Sequence, residues 1–326
     1  MATIQETTRP PRRLDDVPGW FPVLDQMLFD WFLTRQEAGG TRGDLLEVGV
    51  YLGKSAIFTG RHQRPGEKYT VCDLFEGDAP DDANRAEATK SYSALSRARF
   101  EENYLSFHDE LPRVLQGPSS VVPEEVEAAS CRFVHIDASH LYEHVHGDIG
   151  AARDLLLPEG VVVLDDFRSE HTPGVSIAAW EAVLNRGLRP ICLSTQKLYG
   201  TWGDPEPVQD ALLEMVRDRS DCHLSVQEAA GHRIIRLKSK HMRAPAFPPS
   251  KHAQEEPGTA EQAEGSAAAE PPAATPAPAP PVPAPAPTAP APAPRRGPGR
   301  RARRVAVDLL PPVLTRAIRN ARAARR

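Results

Sequence analysis

The chain has 326 residues and a formal net charge of −5, and its charge is unevenly distributed. Residues 295–326 hold 11 arginines and one aspartate, so the preceding 294 residues carry a net charge of −15. An acidic body argues against nucleic acid as the partner of the folded part. No apolar run reaches transmembrane length, the first residues lack a signal-peptide core, and the four cysteines are far apart. We therefore expect a cytoplasmic protein with free thiols.

Composition divides the chain into four parts. The 33 prolines are concentrated late, between about residues 244 and 298, where large apolar residues are almost absent. Such a segment cannot bury enough surface to offset the entropy lost on ordering, which predicts a disordered Pro/Ala-rich linker over residues 241–298. Residues 1–19 are expected to be flexible, residues 20–240 to form one catalytic domain, and residues 299–326 to form a basic amphipathic tail.

Taken in chain order, apolar periodicity predicts alternating helices and strands. Helices are predicted over Trp20–Gln36, from Lys54, after an acidic loop at Asp78–Arg85, before Leu156, and over Ser176–Asn185 and Asp210–Arg217. Strands are predicted at Leu45–Val50, Tyr69–Leu74, Arg113–Gln116, Arg132–Ile136, Gly160–Leu164, Pro190–Leu193 and Arg233–Leu237, with a turn at Pro158–Gly160. This alternation predicts a Rossmann-like, doubly wound α/β fold, with a mostly parallel seven-stranded sheet and helices on both faces.

The first two predicted strands end in residues suited to a nucleoside. Glu47, Gly49 and Gly53 follow the first strand, and the G-x-x-x-G spacing differs from the G-x-G-x-x-G that cradles a dinucleotide pyrophosphate. An acidic residue such as Glu47 suits a ligand that carries an ammonium and a sulfonium. Asp73 ends the second strand, where a carboxylate can accept hydrogen bonds from ribose hydroxyls. Alternatively, the glycines only form a turn and Asp73 only caps a helix.

Carboxylates also follow the fourth and fifth strands. Asp137 ends one of these strands, and Asp165 and Asp166 end the other. Carboxylates that converge repel one another, and a hard cation such as Mg²⁺ relieves the repulsion. His140 has the ordinary pKa range of a general base near neutral pH. The alternative for Asp165 and Asp166 is capping of the next helix or loop, and the alternative for His140 is a contact at the N-terminus of the next helix. His140–His144 also spells the H-x-x-E-H pattern of a zinc protease, which a position directly after a strand disfavours.

Several motifs in order resemble those of a known family. L-E-V-G-V-Y-L-G-K-S-A (Leu46–Ala56), H-I-D-A-S-H-L-Y-E (His135–Glu143), L-L-P-E-G-V-V-V-L-D-D-F (Leu156–Phe167) and the strand-end Asp73 resemble class I S-adenosylmethionine-dependent methyltransferases. The resemblance covers about residues 20–239. It is strongest to metal-dependent small-molecule O-methyltransferases, of the catechol and the macrocin-type sugar classes.

The resemblance implies a role for each matching residue. Around the methionine part of the cofactor it places Glu47, Gly49, Tyr51, Gly53 and Ser55. It implies that Asp73 holds the ribose, that Asp137, Asp165 and Asp166 bind a divalent metal such as Mg²⁺, and that His140 is the catalytic base. The adenine end departs from the family, because the chain reads Gln116–Ser120 after the third strand. Ser119 is the candidate contact there.

The expected activity is methyl transfer from S-adenosylmethionine to a hydroxyl of a small-molecule acceptor. Aromatic candidates for the acceptor pocket are Phe167, Trp180, Tyr199 and Trp202, with core packing the alternative for Trp180. The loop Asp78–Asp82 is either a lid or a solvated segment. Two further functions remain open, a nicotinamide-dependent oxidoreductase and a non-catalytic methyltransferase-like scaffold.

The basic tail suggests a second partner. After Pro312, apolar residues recur at helical spacing and arginines flank them. Such a segment can lie on an acidic membrane as a peripheral anchor, or bind an acidic protein, or remain a solvated tail. The sequence also leaves a homo-oligomer open.

Overall fold

Apolar β-branched runs form one sheet in the computed structural model, which describes residues 9–91 and 95–253. The nine strands are β1 Asp44–Val48, β2 Tyr69–Asp73, β3 Arg113–Gln116, β4 Cys131–Ile136, β5 Leu156–Leu164, β6 Arg189–Leu193, β7 Leu198–Thr201, β8 Cys222–Ala229 and β9 His232–Ser239. The helices are α1 Val23–Ala38, α2 Lys54–Gly60, α3 Asp82–Ser91, α4 Arg97–Leu105, α5 Val122–Glu125, α6 Tyr142–Leu155, α7 Pro173–Asn185 and α8 Glu206–Val216.

The strand order is β3-β2-β1-β4-β5-β7-β6-β9-β8, which confirms the predicted fold class. Strands β3, β2, β1, β4 and β5 pair in parallel, and β7 lies antiparallel between β5 and β6. The order reverses between β1 and β4. In an open sheet of this kind, the crevice beyond the carboxyl ends of the strands at such a reversal is where ligands bind.

Alternate residues of the central strands pack on opposite faces of the sheet. Leu45 and Phe133 belong to a core shared with α1, α2, α4 and α8, whereas Leu46 and Val134 belong to a core shared with α6 and α7. Because successive side chains of a strand point to opposite faces, these apolar runs need helices on both sides to exclude water. The sheet is thus the middle of three layers.

The sheet has nine strands rather than the seven predicted, and β7 and β8 are the two additions. β7 is only four residues long. β8 pairs with β9 at the edge of the sheet, and almost all its residues are exposed. An exposed strand needs no alternation of apolar and polar residues, so its sequence gives little sign of a strand. The predicted turn at Pro158–Gly160 lies within β5. It forms a bulge, because Cys131 pairs with Leu156 while Phe133 pairs with Val161.

Two segments that were predicted to be loose are packed instead. At the start of the described chain Leu14 and Val17 are buried, and Ser250 donates its backbone N–H to the Arg12 carbonyl at 3.0 Å. Phe247 stacks on Phe58. Residues 9–19 and 241–253 are therefore held against the domain by these contacts, and the boundaries predicted for the flexible N-terminus (1–19) and the linker (241–298) stay predictions. A few apolar anchors and backbone hydrogen bonds outweigh the proline content there.

The rest of the predicted linker and the whole basic tail lie outside the described residues, as do residues 1–8. The chain separates into two units, Met1–Thr259 and Ala260–Arg326, and only the first contains described residues. Within the described ranges, no helix is both long enough and apolar enough to cross a membrane. All four cysteines are free thiols, as expected, and each lies in a strand.

A buried ion pair ties β4 to the turn that precedes β2. Arg132 is fully buried, and its guanidinium donates to Glu67 at 3.0 and 3.2 Å, to Gln36 at 3.0 Å and to the His62 carbonyl at 2.6 Å. Burial opposes ionisation of Glu67, but hydrogen bonds from Arg64 and Arg132 outweigh it and lower the pKa of that carboxyl to about 2. The pair closes the end of the sheet opposite the crevice.

We predict that Arg132→Met lowers the free energy of unfolding at neutral pH by roughly 1–3 kcal/mol, because Glu67 loses one of its two guanidinium partners and the buried Gln36 side chain and His62 carbonyl lose a donor. The depressed pKa makes Glu67 stabilising above its ordinary value of 4.5, and this contribution disappears as pH falls towards about 2. The difference in the free energy of unfolding between the variant and the wild type should become smaller as pH falls through this range. Urea unfolding followed by circular dichroism measures it; a loss below about 1 kcal/mol would contradict the prediction.

Candidate active site

A cavity of about 700 Å³ opens beyond the carboxyl ends of the parallel strands, at the predicted crevice. Among its lining residues are five of the predicted site residues: Gly49, Tyr51, Asp73, Ser119 and Asp137. The other six do not line it: Glu47, Gly53, Ser55, His140, Asp165 and Asp166. The structure therefore divides the predicted site into a cavity and a group of charged residues beside and beneath it.

The close approach of β1 and β4 explains the glycine at position 49. Gly49 has φ +84°, and a Cβ atom there would lie 2.0 Å from the carbonyl oxygen of Asp137. No other residue type fits both constraints. Gly53, at φ +94°, starts α2 just beyond. The backbone after β1 thus lies directly against the residue that ends β4, which brings the two strand ends into one site.

Asp73 organises the loop after β1. One of its carboxylate oxygens accepts backbone N–H groups from Val50 at 2.8 Å and Tyr51 at 3.1 Å, and the other accepts from Phe75 at 2.9 Å. Burial raises the pKa of Asp73, although these three backbone donors act in the opposite direction. The carboxylate has lone pairs left for a ribose hydroxyl. Its position at the cavity wall is compatible with that predicted role, which stays a prediction.

Glu47 and Ser55 lie beneath the cavity and contact each other. Glu47 is fully buried and accepts hydrogen bonds from Ser55 Oγ at 2.5 Å and Tyr69 Oη at 2.7 Å. His135 Nδ1 lies 3.1 Å from the same carboxylate. These partners occupy the side chain that was expected to face the cofactor. The predicted contacts of Glu47 and Ser55 with the methionine part therefore have no support from the cavity and stay predictions.

Lys197 is a buried cation that sequence reasoning missed. Its ammonium forms an ion pair with Asp165 and lies 3.4 Å from His135 Nε2. Both charged groups are almost fully buried, so each needs the other to offset its lost hydration. In sequence, Lys197 is an unremarkable residue between two short apolar runs, and only the pairing of β7 with β5 places it beside Asp165.

The three predicted metal-binding carboxylates separate into two groups that share Asp137. Within the described residues, one group joins Asp137 with His135 and Asp165, and the other joins it with His140 and Asp166. The ligand atoms within each group lie within 4.8 Å of one another. Lys197 forms an ion pair with Asp165, so the first group already contains a cation of the protein.

His140 and Asp166 form the accessible half of this site. His140 Nε2 lies 3.1 Å from Asp166 Oδ2, and both side chains are partly exposed. Burial opposes the charge on Asp166, but hydrogen bonds from His140 and Ser169 outweigh it and lower its pKa. Burial raises the pKa of Asp137, whereas Lys197 and His135 lower it. His140 lies in the loop before α6 rather than on the helix, and it is not part of a helical zinc motif.

The acidic loop before α3 closes over the cavity. Pro80 and Asn84 line the cavity, and Asp81 Oδ2 lies 2.9 Å from His144 Nε2 on α6. The other ring nitrogen of His144 contacts Ser139 Oγ at 3.0 Å. The contact between Asp81 and His144 thus ties the loop to the opposite wall. This geometry supports the lid interpretation over that of a solvated loop.

The four aromatic candidates for the acceptor pocket do not line this cavity. Tyr199 is fully buried, stacks on Phe32 and donates to Asp25 at 2.7 Å, so its predicted pocket role is wrong. Phe167 and Trp180 line a separate cavity of about 560 Å³ between α7 and the β8–β9 hairpin. Trp202 donates its indole N–H to the Arg186 carbonyl. The cavity near Asp137 is instead bounded on one side by Phe75 and Leu95.

We predict that His144→Ala loosens the loop over the cavity, because it removes the contact with Asp81. Amide hydrogen exchange of residues 76–84 should become faster, while exchange in the sheet stays unchanged. His146→Ala is the matched control, since His146 lies on the same helix and pairs with Glu181 at 3.1 Å, outside the cavity lining. Equal loop exchange in the two variants would refute the lid.

Comparison with known proteins identifies one region of the chain. Residues 46–167 match the family model described as a methyltransferase domain. These residues run from β1 to the end of β5 and carry every predicted cofactor, metal and base residue. No curated protein matches the chain.

Solved structures with similar folds include several O-methyltransferases. NovP is 19% identical over 55% of this chain and 79% of its own, with a TM-score of 0.47. CalS11, a TDP-rhamnose 3'-O-methyltransferase of calicheamicin biosynthesis, is 22% identical over 56% of this chain and 80% of its own, with a TM-score of 0.37. TomG from Streptomyces achromogenes, solved with S-adenosylmethionine, is 16% identical over 68% and 79%, with a TM-score of 0.33.

The family match covers the strands that surround the cavity, and the order of those strands is that of a doubly wound sheet with its crevice between β1 and β4. Residues 46–167 of the chain therefore match a methyltransferase domain, and the strands within them are arranged as in a doubly wound sheet.

Proposed function

We propose that the protein transfers the methyl group of S-adenosylmethionine to a hydroxyl oxygen of a small-molecule acceptor, such as a sugar or a natural product, at a site that holds a divalent cation. The observation that carries this proposal is the His140–Asp166 pair beside Asp137. A hydroxyl is a weak nucleophile until it loses its proton, whereas a neutral amine already has a nucleophilic lone pair. A histidine paired with a carboxylate therefore favours O-methylation over N-methylation.

His140 accepts the proton of the acceptor hydroxyl. Asp166, 3.1 Å from the imidazole, stabilises the imidazolium that results and holds the ring in one orientation. The freed oxygen lone pair forms the new bond to the methyl carbon, and the bond from that carbon to sulfur breaks with its electron pair. The products are the methyl ether and S-adenosylhomocysteine, and the proton remains on His140 until solvent takes it.

The donor set fits a hard cation. Carboxylate oxygens of Asp137 and Asp166 and a ring nitrogen of His140 lie within 4.8 Å of one another, and oxygen-rich sites of this kind suit Mg²⁺. Asp137 and Asp166 would hold the ion. A cation bound there would lower the pKa of the acceptor hydroxyl. His140 then stands next to the proton that it has to remove.

The cavity accommodates the cofactor in this proposal. Asp73 would bind the ribose, and the loop from Gly49 to Tyr51 would lie along the methionine part. The loop tied by Asp81 would exclude water from the sulfonium, because hydrolysis competes with transfer. We therefore expect S-adenosylhomocysteine to bind without any acceptor present.

Titration calorimetry with S-adenosylhomocysteine, first with Mg²⁺ and then with a strong chelator, tests the cofactor assignment. Binding in both conditions is expected, because the cavity lining and the cluster of Asp137, His140 and Asp166 share only Asp137. If S-adenosylhomocysteine binds neither with Mg²⁺ nor with chelator, the proposed function is wrong. NADH should not compete, since the loop lacks the glycine spacing for a pyrophosphate.

His140→Ala should reduce turnover by about 10²–10⁴-fold, the usual contribution of a general base. Its affinity for S-adenosylhomocysteine should stay unchanged, because His140 is not part of the cavity lining. The acceptor is the best hydroxylated compound from a screen for S-adenosylhomocysteine release, and His146→Ala is the control. Loss of cofactor affinity together with turnover would make His140 a structural residue.

Asp166→Asn and Asp165→Asn separate the two candidate metal groups. We expect Asp166→Asn to weaken Mn²⁺ binding, measured by electron paramagnetic resonance, by about tenfold or more. Asp165→Asn should have a smaller effect, because Lys197 already holds that carboxylate. Full activity of the wild type in strong chelator, with no Mn²⁺ bound at all, would eliminate the metal from the mechanism.

A further inference from the structure

One carboxylate at the cavity wall has no role in the mechanism. Asp148 lies on α6, is 7% exposed and lines the cavity, yet its Oδ2 atom has no hydrogen-bond partner among the described residues. Ser119 hydrogen-bonds to the same carboxyl group. A buried carboxylate oxygen without a donor is costly, and such atoms in native structures mark a place where a ligand supplies the missing donor.

The position of Asp148 identifies which part of the cofactor it meets. Ser119 follows β3, and Asp148 lies on the helix that follows β4, so the carboxyl group stands between these two elements. It is close enough to Cys72, near the end of β2, to raise the pKa of that thiol, although burial is the larger cause. Cys72 adjoins Asp73. Asp148 is therefore near Asp73, the residue expected to bind the ribose.

The part of the cavity around Asp148 has apolar walls that suit a flat base. Pro118 and Ala151 line the cavity on the two elements that flank Asp148, and neither offers a side-chain polar group. A base joined to a ribose at Asp73 would be bounded by these apolar groups and would present its edge to the carboxylate. The exocyclic amine of adenine donates hydrogen bonds, and an ionised carboxylate only accepts them.

We propose, on the basis of the cofactor assigned above, that Asp148 reads the 6-amino group of the adenine base through its Oδ2 atom, with Ser119 orienting the carboxylate. Asp148 is thus the residue that selects adenine over 6-oxopurines. A 6-oxo group would place an acceptor oxygen against the carboxylate, and the two would repel each other. The contact replaces the acidic residue that the sequence lacks after β3.

The protonation state is compatible with this role. Burial raises the pKa of Asp148 to about 6, and the hydrogen bond from Ser119 opposes that shift. Above that pH the carboxyl group is ionised and accepts the amine hydrogen. Binding experiments at about pH 8 therefore measure the charged form.

The test compares two ligands that differ only at the 6-position. Titration calorimetry measures the affinities of S-adenosylhomocysteine and S-inosylhomocysteine for the wild type, for Asp148→Asn and for Asp154→Asn. Asp154 lies on the same helix but is exposed and pairs with Arg153, so it is the matched control. The wild type and the control should prefer the adenine ligand by about tenfold or more, as sites built around one polar contact do.

Asp148→Asn should lose that preference, because its amide can donate to the 6-oxo oxygen, and S-inosylhomocysteine should bind to it more tightly than to the wild type. A wild type that binds both ligands equally would overturn the proposal, and this result needs no variant. Unchanged preference in Asp148→Asn would also overturn it, while leaving the methyltransferase assignment intact. Absence of S-adenosylhomocysteine binding to the wild type would overturn the cofactor assignment as well.

Discussion

The close approach of β1 to β4 sets the geometry of the whole site. Asp137 donates its backbone N–H to the Val48 carbonyl at 2.7 Å, and the absent side chain of Gly49 leaves room for the Asp137 carbonyl. The strand order reverses at this junction, which opens a crevice beyond the carboxyl ends of β1 and β4. Asp73 then fixes the loop after β1 through backbone N–H groups. The ends of β2 and β4, which carry Asp73 and Asp137, consequently lie on either side of the loop that contains Gly49.

The charged side chains beneath the site are largely paired with one another. Glu47 is held by Ser55, Tyr69 and His135, and Asp165 is held by Lys197, so these groups meet their electrostatic needs within the protein. The groups left to meet a ligand are those at the surface of this network. The buried ion pairs thus determine which carboxylates can interact with a ligand, and they favour Asp166 over Asp165.

The two proposed roles both rest on a carboxylate. Beside the cavity, Asp166 is paired with His140 and would stabilise that histidine once it accepts a proton. In the cavity wall, Asp148 has a buried carboxylate oxygen to which an adenine amine would donate. The loop carrying Asp81 is tied through His144 to α6, the helix that also carries Asp148. Closing the loop and binding the base would therefore act on the same helix.

The sequence by itself determined the fold class, the ends of the parallel strands and the identity of the residues at those ends. These features depend on local periodicity, on glycine conformation and on strand-end position, all of which are readable along the chain. It did not reveal β8, because an exposed edge strand has little apolar pattern, or the packing of residues 9–19 and 241–253. Only the tertiary structure decided which side chains meet. Lys197 reached Asp165 through an antiparallel strand, and Asp148 reached Ser119 across two elements, and such long-range contacts leave no trace in local spacing.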